Sequence, residues 1–340
     1  MIAHSPMTIS HKLPTEQTAI VITGAGGPEV LHPATVAVPA PGPGQILIRV
    51  AAAGINRHDC LQRAAGIHHD GQPVPGLEAA GHVAALGAGV TQFGIGDAVM
   101  ALLQGGGYAP FALAEAAVTM PVPEGLDMLH AAAVPEALFT AWWNFFALME
   151  LKTSGVALIH GGTSGVGHLA LQAMSALGYR VIATAGSADK IEAARRFGAL
   201  DAFHYNDPDL AQKVLKATGD VGISALLDVS AGAHLAADLA MMAPDGCIAH
   251  LSGGGGATLN VPLKALMAKR IRITGSLLRP LALSRKAKVA QMLRRDVLPL
   301  LGTRVRPHLA ATFPLEQAAA AHRQMEEGRH IGKIVLAVAS

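Results

Sequence analysis

The chain has 340 residues, which fits two domains of ordinary size, and its 51% hydrophobic content excludes an intrinsically disordered protein. The 26 basic and 24 acidic residues are mixed along the sequence, so no charged region marks a nucleic acid or an anionic membrane as a partner. No apolar run reaches the roughly 18 residues that a membrane span requires. These observations predict a globular protein without a nucleic acid or a membrane as its partner.

Cysteine usage bears on the compartment. The chain has two cysteines, Cys60 and Cys247, which is too few for a disulfide framework or a Cys-rich zinc site. The polar segment Met1–Leu13 lacks the apolar core of a signal peptide. We therefore expect a cytoplasmic protein. Two small basic groups, Lys264–Arg272 and Arg285–Arg295, alternate with apolar residues and predict solvated helix faces.

The first third of the chain has the pattern of a β domain. Ile46–Val50 and Gly81–Leu86 are predicted strands, and the Pro/Gly-rich segment Val36–Gly44 is a predicted turn region. Short strands with many turns indicate a barrel-like fold.

From Leu151 the pattern changes to alternating strands and helices, which is typical of βαβ units and a parallel sheet. The predicted strands are Val156–His160, Arg180–Ala185, Ala202–His204, Ile223–Val229, Cys247–Leu251 and the apolar run Ile271–Leu278. The predicted helices are His168–Leu177, Asp189–Phe197, Leu210–Ala217 and Ala233–Met242.

The last segment, Thr312–Ser340, contains a predicted helix, Leu315–Glu327, and a predicted strand, Lys333–Val338. It does not continue the βαβ series, so we expect it to fold back onto the first domain. We place a mostly β domain at residues 1–137, completed by 283–340, and an α/β domain at residues 138–282.

The strongest motif is the glycine loop of Ile159–Ala170, IHGGTSGVGHLA, which lies between a predicted strand and a predicted helix. In that context glycines allow a close approach to a pyrophosphate, which the N–H groups at the helix start stabilise. Counted from Gly162, the motif G-x-G-x-x-G has Ser164 in its middle position and Gly167 in its last. Counted from Gly165, it is G-x-G-x-x-A. The segment lacks the final glycine of a serine hydrolase elbow and has no P-loop lysine.

The end of the second predicted strand indicates which dinucleotide is bound. NAD sites place Asp or Glu there to bind the ribose 2′-hydroxyl, whereas this chain has the small residue Ala185. Ser187 can donate a hydrogen bond to a 2′-phosphate and Lys190 can supply a positive charge. The sequence therefore predicts NADPH. The run Gly253–Gly256 follows a later strand, where such sheets bind their ligands, and is equally well explained as a loop without a ligand.

Taken together, the motifs show a family resemblance. The chain resembles the medium-chain dehydrogenase/reductase superfamily, in the zinc-free quinone oxidoreductase branch that includes zeta-crystallin, and it is most similar in appearance to the tumour-suppressor-inducible group. Besides the glycine loop, the matching segments are Gly26–Leu31, Asn56–Arg63, Gly76–Gly81, Gly96–Leu103, Val134–Ala137, Thr184–Ser187, Gly275–Arg279 and Gly332–Leu336.

The resemblance implies an α/β protein with a GroES-like β domain, a Rossmann domain with a doubly wound parallel sheet, and a cofactor cleft between them. With the glycine loop, it implies an NADPH site formed by Thr140, Gly162, Ser164, Gly165, Val166, Gly167, Ser187, Lys190, Tyr205, Leu251, Ser252, Gly253, Leu277 and Lys333.

The resemblance also implies that no metal takes part. Zinc-dependent relatives have Cys and His where this chain has Asn56 and Leu77, and neither an amide nor a leucine serves as a zinc ligand. His58-Asp59 and His68-His69-Asp70 are expected to be polar surface.

The implied activity is zinc-independent reduction of quinones by NADPH, through hydride or single-electron transfer. Asn56 is a candidate for polarising a carbonyl, and His68 is a candidate proton donor. Relatives have a Tyr near the position of Ile67-His68-His69, so the substrate preference stays open. The alternatives are a zinc-free NADPH-dependent reductase of enones or enoyl thioesters, and a non-catalytic NADPH-binding protein with a structural or sensing role.

An assembly is also predicted. The run Ile271–Leu278 follows the fifth Rossmann strand and would form an apolar sheet edge, which soluble proteins cover or pair. Pairing two copies across a two-fold axis produces a homodimer, alone or as half of a tetramer, and the resemblance implies the same edge.

Overall fold

The computed structural model describes residues 13–68, 71, 73–230, 232–252 and 258–339. Its first part is a β domain with short helices. The elements in chain order are β1 (Glu16–Ile22), β2 (Leu31–Ala37), β3 (Gln45–Ile55), α1 (Arg57–Ala64), β4 (Glu78–Leu86), β5 (Ala98–Leu102), β6 (Phe111–Glu115), β7 (Thr119–Pro121), α2 (Met128–Ala131) and α3 (Pro135–Trp142), followed by a π-helical segment, Trp143–Leu148.

The second part alternates strands and helices as predicted. Its elements are β8 (Val156–His160), α4 (Gly165–Ala176), β9 (Arg180–Ala185), α5 (Ala188–Arg196), β10 (Asp201–His204), α6 (Leu210–Thr218), β11 (Ile223–Asp228), α7 (Leu235–Met241), β12 (Met242–His250), α8 (Leu263–Lys269) and β13 (Arg272–Gly275). The six strands form one parallel sheet in the order β10-β9-β8-β11-β12-β13. This is the doubly wound order, with its crossover point between β8 and β11.

The C-terminal segment returns to the first domain. Its elements are α9 (Leu283–Asp296), β14 (Leu309–Pro314), α10 (Ala318–Glu327) and β15 (Lys333–Ala337). Strand β15 pairs antiparallel with β3, and β14 pairs with β15, so both extend the sheet β14-β15-β3-β4-β5-β7. Because Lys333 opens β15, this return places it beside the end of β3. The boundary that we propose at residues 137–138 falls within α3, which runs from one domain into the other.

Several predicted boundaries differ from the structure, and three of them are instructive. Helix α4 begins at Gly165 rather than His168, because the Ser164 side chain accepts a hydrogen bond from the Gly167 N–H and caps the helix earlier. Strand β12 begins at Met242, which pairs with Ile223 across an irregular register. Strand β13 ends at Gly275, so the predicted run to Leu278 is strand only in part.

The prediction that the two basic groups form solvated helix faces was only partly right. Helices α8 and α9 contain most of these residues, but Lys286 of α9 is buried rather than solvated. Its ammonium donates to the Arg279 carbonyl at 2.7 Å, and burial lowers its pKa to about 8. The alternation of basic and apolar residues did not show that α9 packs against the β domain, where Arg294 donates to the Thr119 carbonyl.

The largest hydrophobic core lies where the two domains meet. It joins α3 and α4 to one face of the parallel sheet and to residues of the β domain such as Ala52 and Met100. Separate cores fill the β domain and the opposite face of the parallel sheet. Within the described ranges, every helix is too short or too polar to cross a bilayer.

Packing at the end of β3 yields a stability prediction. A Cβ at Gly54 would overlap a carboxylate oxygen of Glu78 and lie 2.6 Å from the Ala132 carbonyl oxygen. We expect Gly54→Ala to lower the free energy of unfolding by about 2–3 kcal/mol. The control Gly24→Ala places its Cβ in open space and should change it by no more than about 0.5 kcal/mol. Chemical denaturation of both variants measures this, and equal effects would contradict the tight packing at Gly54.

Candidate active site

The glycine loop joins β8 to α4 at the edge of the sheet where the parallel strands end. Ser164 is the N-cap of α4, and the helix starts with Gly165 and Val166. The first N–H groups of a helix have no partner within it and carry the positive end of the helix dipole. The loop therefore presents N–H groups where a pyrophosphate of a dinucleotide would be stabilised.

Two glycines of the loop are required by close packing. A Cβ at Gly162 would lie 2.5 Å from the Ala183 side chain of β9, and one at Gly167 would overlap the Gly161 carbonyl oxygen. These contacts bring α4 against the sheet. They support counting the motif from Gly162, with Ser164 in the middle position and Gly167 in the last.

A neutral histidine supports the loop from behind. His168 is buried, its Nδ1 hydrogen-bonds the Ser164 carbonyl at 2.9 Å, and its Nε2 accepts the His308 N–H at 3.1 Å. Burial lowers the pKa of His168 to about 4. The imidazole therefore supports the loop in its uncharged form at neutral pH.

The ends of β9 and β10 bring together the three residues predicted for the 2′-phosphate. Ser187 caps α5 by accepting the Lys190 N–H. The Lys190 ammonium donates to the Gly328 carbonyl at 2.7 Å, which ties this site to the end of α10. The Tyr205 ring lies so close to Gly186 that a Cβ there would be 2.6 Å from it. Ser187 and Tyr205 are exposed.

The ends of β11 and β12 contain a pair that sequence analysis missed. Asp228 accepts from His250 Nδ1 at 2.8 Å and from the Gly232 N–H at 2.7 Å. These hydrogen bonds, with those from Ser230, hold the pKa of Asp228 well below its usual range despite burial. The Leu251 N–H donates to the Asp228 carbonyl, so the pair shapes the loop after β12.

The remaining residues predicted near this loop differ in exposure. Ser252 is exposed, and Leu277 is 71% exposed, so only a ligand or a second chain would cover it. Gly253 and the rest of the Gly253–Gly256 run lie outside the described residues.

The central feature of the site is a buried polar network where β3, β4 and β15 meet. The Lys333 ammonium donates to the Ile55 carbonyl at 3.2 Å, to Asn56 Oδ1 at 2.6 Å and to Glu78 Oε1 at 2.5 Å. Asn56 Nδ2 donates to the same Glu78 oxygen at 2.9 Å. Lys333 is 1% exposed and Glu78 is 0% exposed. The three hydrogens of the ammonium are all committed to protein acceptors.

The network continues into the helix between the domains. Glu78 Oε2 accepts the Glu136 N–H at 2.9 Å, and Glu136 Oε1 accepts the Thr140 hydroxyl at 2.9 Å. Burial raises the pKa of Glu136. The aliphatic part of Lys333 also packs against the glycine loop: a Cβ at Gly165 would lie 2.8 Å from Lys333 Cδ. Predicted residues from three distant segments thus meet in one place.

Sequence analysis missed Glu78 and Glu136, although both lie within the matching segments Gly76–Gly81 and Val134–Ala137. The available signal was an acidic residue in an otherwise apolar segment. A charge there is costly to bury unless it is paired, which indicates a partner elsewhere in the chain.

His68 is not brought into the network. Its side chain is exposed, and its Nε2 hydrogen-bonds the Ile22 carbonyl of β1 at 2.8 Å. His69 and Asp70 lie outside the described residues. The expectation that His58-Asp59 is polar surface was wrong for Asp59, which is 0% exposed. Asp59 accepts the Asn56 N–H at 2.8 Å and the Tyr108 hydroxyl at 3.2 Å, because it caps the first turn of α1 from inside the core.

The surroundings of Asn56 do not fit a zinc ion. Asn56 and Leu77 offer no zinc ligand, and the Lys333 ammonium lies 2.6 Å from Asn56 Oδ1, where it would repel a metal cation. Among the residues that the structure describes, no three His, Cys, Asp or Glu side chains come together as a metal site.

Burial of Asp59 yields a pH prediction. Desolvation raises its pKa from 3.8 to about 7, against the hydrogen bond from Asn56. A carboxyl with a raised folded-state pKa stabilises most below its unfolded value, and this stability is lost as pH rises through about 7. In denaturant unfolding, the wild type should therefore lose up to about 4 kcal/mol relative to Asp59→Asn between pH 4 and pH 8. A difference that is constant over this range would contradict the prediction.

Comparisons with known proteins identify the family. The family model described as "Alcohol dehydrogenase GroES-like domain" matches residues 42–124, and the model described as "Zinc-binding dehydrogenase" matches residues 165–295. The quinone oxidoreductase of Sus scrofa is 32% identical over 326 residues, covering 94% of this chain and 97% of that protein.

Two further relatives have names that bear on chemistry. A 2-haloacrylate reductase from a Burkholderia species is 32% identical over 330 residues, covering 94% of this chain and 98% of that protein. A mycobacterial protein solved in complex with NADPH is 28% identical with a TM-score of 0.80, covering 94% of this chain and 99% of that one. The predicted fold class is confirmed by the GroES-like match and the parallel sheet. The chain therefore belongs to the medium-chain dehydrogenase/reductase superfamily, in its zinc-free quinone oxidoreductase branch.

Proposed function

We propose that this protein is a zinc-independent oxidoreductase that uses NADPH to reduce quinones. The observation that carries the proposal is the position of Lys333, which packs along Gly165 at the start of α4 and hydrogen-bonds Asn56 at the end of β3. One side chain thus connects a dinucleotide-binding helix start to a polar amide in the other domain. Quinone oxidoreductases among the relatives support the choice of acceptor.

The residues present fit NADPH, which when bound supplies the hydride for the reaction. The N–H groups of Gly165 and Val166 bind the pyrophosphate. Ser187, Lys190 and Tyr205 hold the 2′-phosphate at the ends of β9 and β10, where the small residue Ala185 leaves room for it. The loops after β11 and β12 would hold the nicotinamide end, and Asn56 would serve the acceptor.

Asn56 then acts on the acceptor. Its amide donates a hydrogen bond to the quinone oxygen, on which negative charge grows as the hydride arrives. Hydride transfer leaves a hydroquinone monoanion, and the single proton that completes the hydroquinone comes from solvent, because this anion is a modest base that water can protonate. Burial of the network beneath the cleft keeps this amide oriented without a metal ion.

A second candidate function is the reduction of enones or related activated alkenes, for which the 2-haloacrylate reductase relative is a precedent. This reaction must protonate a carbon. The observation that favours it is the carboxyl of Glu136, which lies inside the network, accepts the Thr140 hydroxyl and has a pKa that burial raises. The two functions share the cofactor site and differ in whether this proton is needed.

An acceptor panel separates the candidates. Protein dialysed against EDTA is mixed with NADPH and either 9,10-phenanthrenequinone, 1,4-benzoquinone, 2-cyclohexen-1-one or crotonyl thioester, and absorbance at 340 nm is followed. We expect fast turnover with the quinones. Turnover confined to the enone or thioester would establish the second candidate, and tight NADPH binding without turnover would establish a non-catalytic role.

Lys190 provides a test of cofactor preference. Loss of a charged contact to phosphate costs about 1.5–3 kcal/mol, so Lys190→Ala should raise the Kd for NADPH about 10- to 150-fold and leave the Kd for NADH unchanged. Lys216→Ala removes an exposed lysine from α6 and is the control. Fluorescence titration measures both constants. An unchanged Kd for NADPH would show that Lys190 does not bind the 2′-phosphate.

We also propose that two copies pair through β13. This strand forms the edge of the parallel sheet, and the neighbouring apolar side chains of Leu263, Met267 and Leu277 are 67%, 70% and 71% exposed. An edge strand flanked by exposed apolar side chains is a template for pairing. A two-fold axis at this edge would continue the sheet into a second copy and cover these side chains.

The backbone indicates a variant that tests the dimer. The Ser276 N–H donates inward to the His250 carbonyl, so strand alternation directs the Ile273 N–H outward, to the free edge. Ile273→Pro removes that outward donor and should shift the protein toward monomer in sedimentation velocity at micromolar concentration. Ile273→Val keeps the donor and should remain dimeric. A monomeric wild type would refute the dimer.

A further inference from the structure

We propose that Lys333 and Glu78 hold the Asn56 amide in one orientation, in which it can only donate a hydrogen bond to a ligand. This orientation makes the site selective for acceptors that carry a carbonyl oxygen. This inference rests on the proposed function and names the acceptor class of the same site. Lys333 and Glu78 are positioning residues in this account, since each acts through Asn56.

The orientation of the amide follows from the chemistry of its two neighbours. An ammonium has hydrogens to donate and no lone pair, so it contacts the amide oxygen, at 2.6 Å. A carboxylate paired with that ammonium only accepts, so it contacts the amide nitrogen, at 2.9 Å. A flipped amide would place its NH₂ group against the ammonium and its oxygen against the carboxylate. Both contacts would be repulsive, so one orientation remains.

What the amide can offer a ligand is then determined. Asn56 Oδ1 already accepts the short hydrogen bond from Lys333, and one hydrogen of Nδ2 is taken by Glu78. The other Nδ2 hydrogen has no acceptor among the described residues. Asn56 is 7% exposed, so this hydrogen lies in a site with little water. It can serve an oxygen atom of a ligand, and it repels a ligand that presents a donor.

The fixed orientation of the Asn56 amide favours a particular class of acceptor. Negative charge grows on the oxygen of a quinone or an enone as the hydride arrives, and a preorganised donor stabilises that charge. A strongly oxidising quinone needs this help least, whereas an enone needs it most. An acceptor without a carbonyl, such as ferricyanide, gains nothing from it. Loss of this fixed orientation should therefore slow the reduction of weakly oxidising carbonyl acceptors most.

A competing role for Lys333 is direct contact with the cofactor, which the family resemblance implies. The structure favours the positioning role, because the Ile55, Asn56 and Glu78 oxygens take all three hydrogens of the ammonium. The charge of Lys333 is also balanced by Glu78 at 2.5 Å. A cofactor ligand would determine NADPH affinity, whereas a positioning residue would leave it unchanged.

The test uses a charge-neutral pair of substitutions, because Lys333→Met alone would leave the Glu78 carboxylate buried without its partner. In Lys333→Met/Glu78→Gln both charges are absent and the Asn56 amide is free to flip. Asn56→Ala removes the donor itself. The matched control is Lys286→Met, which removes another buried lysine, one whose ammonium donates to the Arg279 carbonyl.

Three experiments are made. Fluorescence gives the Kd for NADPH, and steady-state kinetics give kcat and KM with 2-cyclohexen-1-one and 1,4-benzoquinone. Difference infrared spectroscopy gives the carbonyl stretch of 2-cyclohexen-1-one in its complex with protein and NADP⁺. We expect the double variant to keep its Kd for NADPH within about threefold. Its kcat for the enone should fall about 100-fold, with a smaller fall for benzoquinone. The carbonyl stretch should be lowered in the wild type and in Lys286→Met, and should return toward its solution value in the double variant and in Asn56→Ala.

Two results would overturn the inference. An NADPH Kd that rises tenfold or more in the double variant, with an unchanged carbonyl stretch, would make Lys333 a cofactor ligand. A carbonyl stretch that is unshifted in the wild type would show that Asn56 does not donate to the acceptor. A wild type that lowers the carbonyl stretch without any turnover would instead refute the proposed function and leave the orientation of Asn56 established.

Discussion

A buried ammonium must be paired, and the structure around the site depends on how Lys333 meets this requirement. The Lys333 residue is 1% exposed, and its charge is balanced by the fully buried carboxylate of Glu78. Removing one partner of such a pair leaves an uncompensated charge, at a cost of about 3–5 kcal/mol. The pair is therefore formed only when β15 lies beside β3 and β4, which couples the last strand of the chain to the folding of the first domain.

The same constraint explains why glycine occurs at two positions around the pair. Gly54 leaves space for the Glu78 carboxylate beside the Ala132 carbonyl, and Gly165 leaves space for the aliphatic part of Lys333. The first glycine belongs to β3 and the second to α4. Through the hydrogen bond of Thr140 to Glu136 and the packing of Lys333 against Gly165, the α/β domain thus joins the polar network of the β domain, beside their shared core. Among the described residues no metal-binding cluster of His, Cys, Asp or Glu forms, and the amide of Asn56 is held by the Lys333–Glu78 ion pair.

Much of the α/β domain was predictable because its structure is encoded locally. The boundaries of β8 and β9 are those predicted, since a strand covered on both faces appears as a continuous apolar run between turn residues. The glycine loop was also recognisable, since its glycines and its capping serine lie within six residues of one another. Even there, the start of α4 was missed by three residues because Ser164 was assigned to the loop instead of to the cap.

The ion pair itself could not be predicted, because its partners are 255 residues apart in sequence. Asp59 and Lys286 were expected to be solvated for a similar reason: their burial depends on Tyr108, on the return of α10 and on the packing of α9, none of which has a local signature. A charge inside an apolar segment shows that a partner exists but does not show which residue it is. The residues proposed for a 2′-phosphate were easier to identify in the sequence, because Ser187 and Lys190 lie at the start of α5, three residues apart.

The central claim is that this ion-paired amide, without a metal, supports hydride transfer from NADPH to a carbonyl acceptor. Its most direct test is a single-turnover stopped-flow measurement on EDTA-dialysed protein, with NADPH deuterated at the transferring position of C4 and 1,4-benzoquinone as acceptor. We expect absorbance at 340 nm to decay at full amplitude, more slowly with deuterated than with ordinary NADPH. A decay that requires added zinc, or no decay at all, would contradict it.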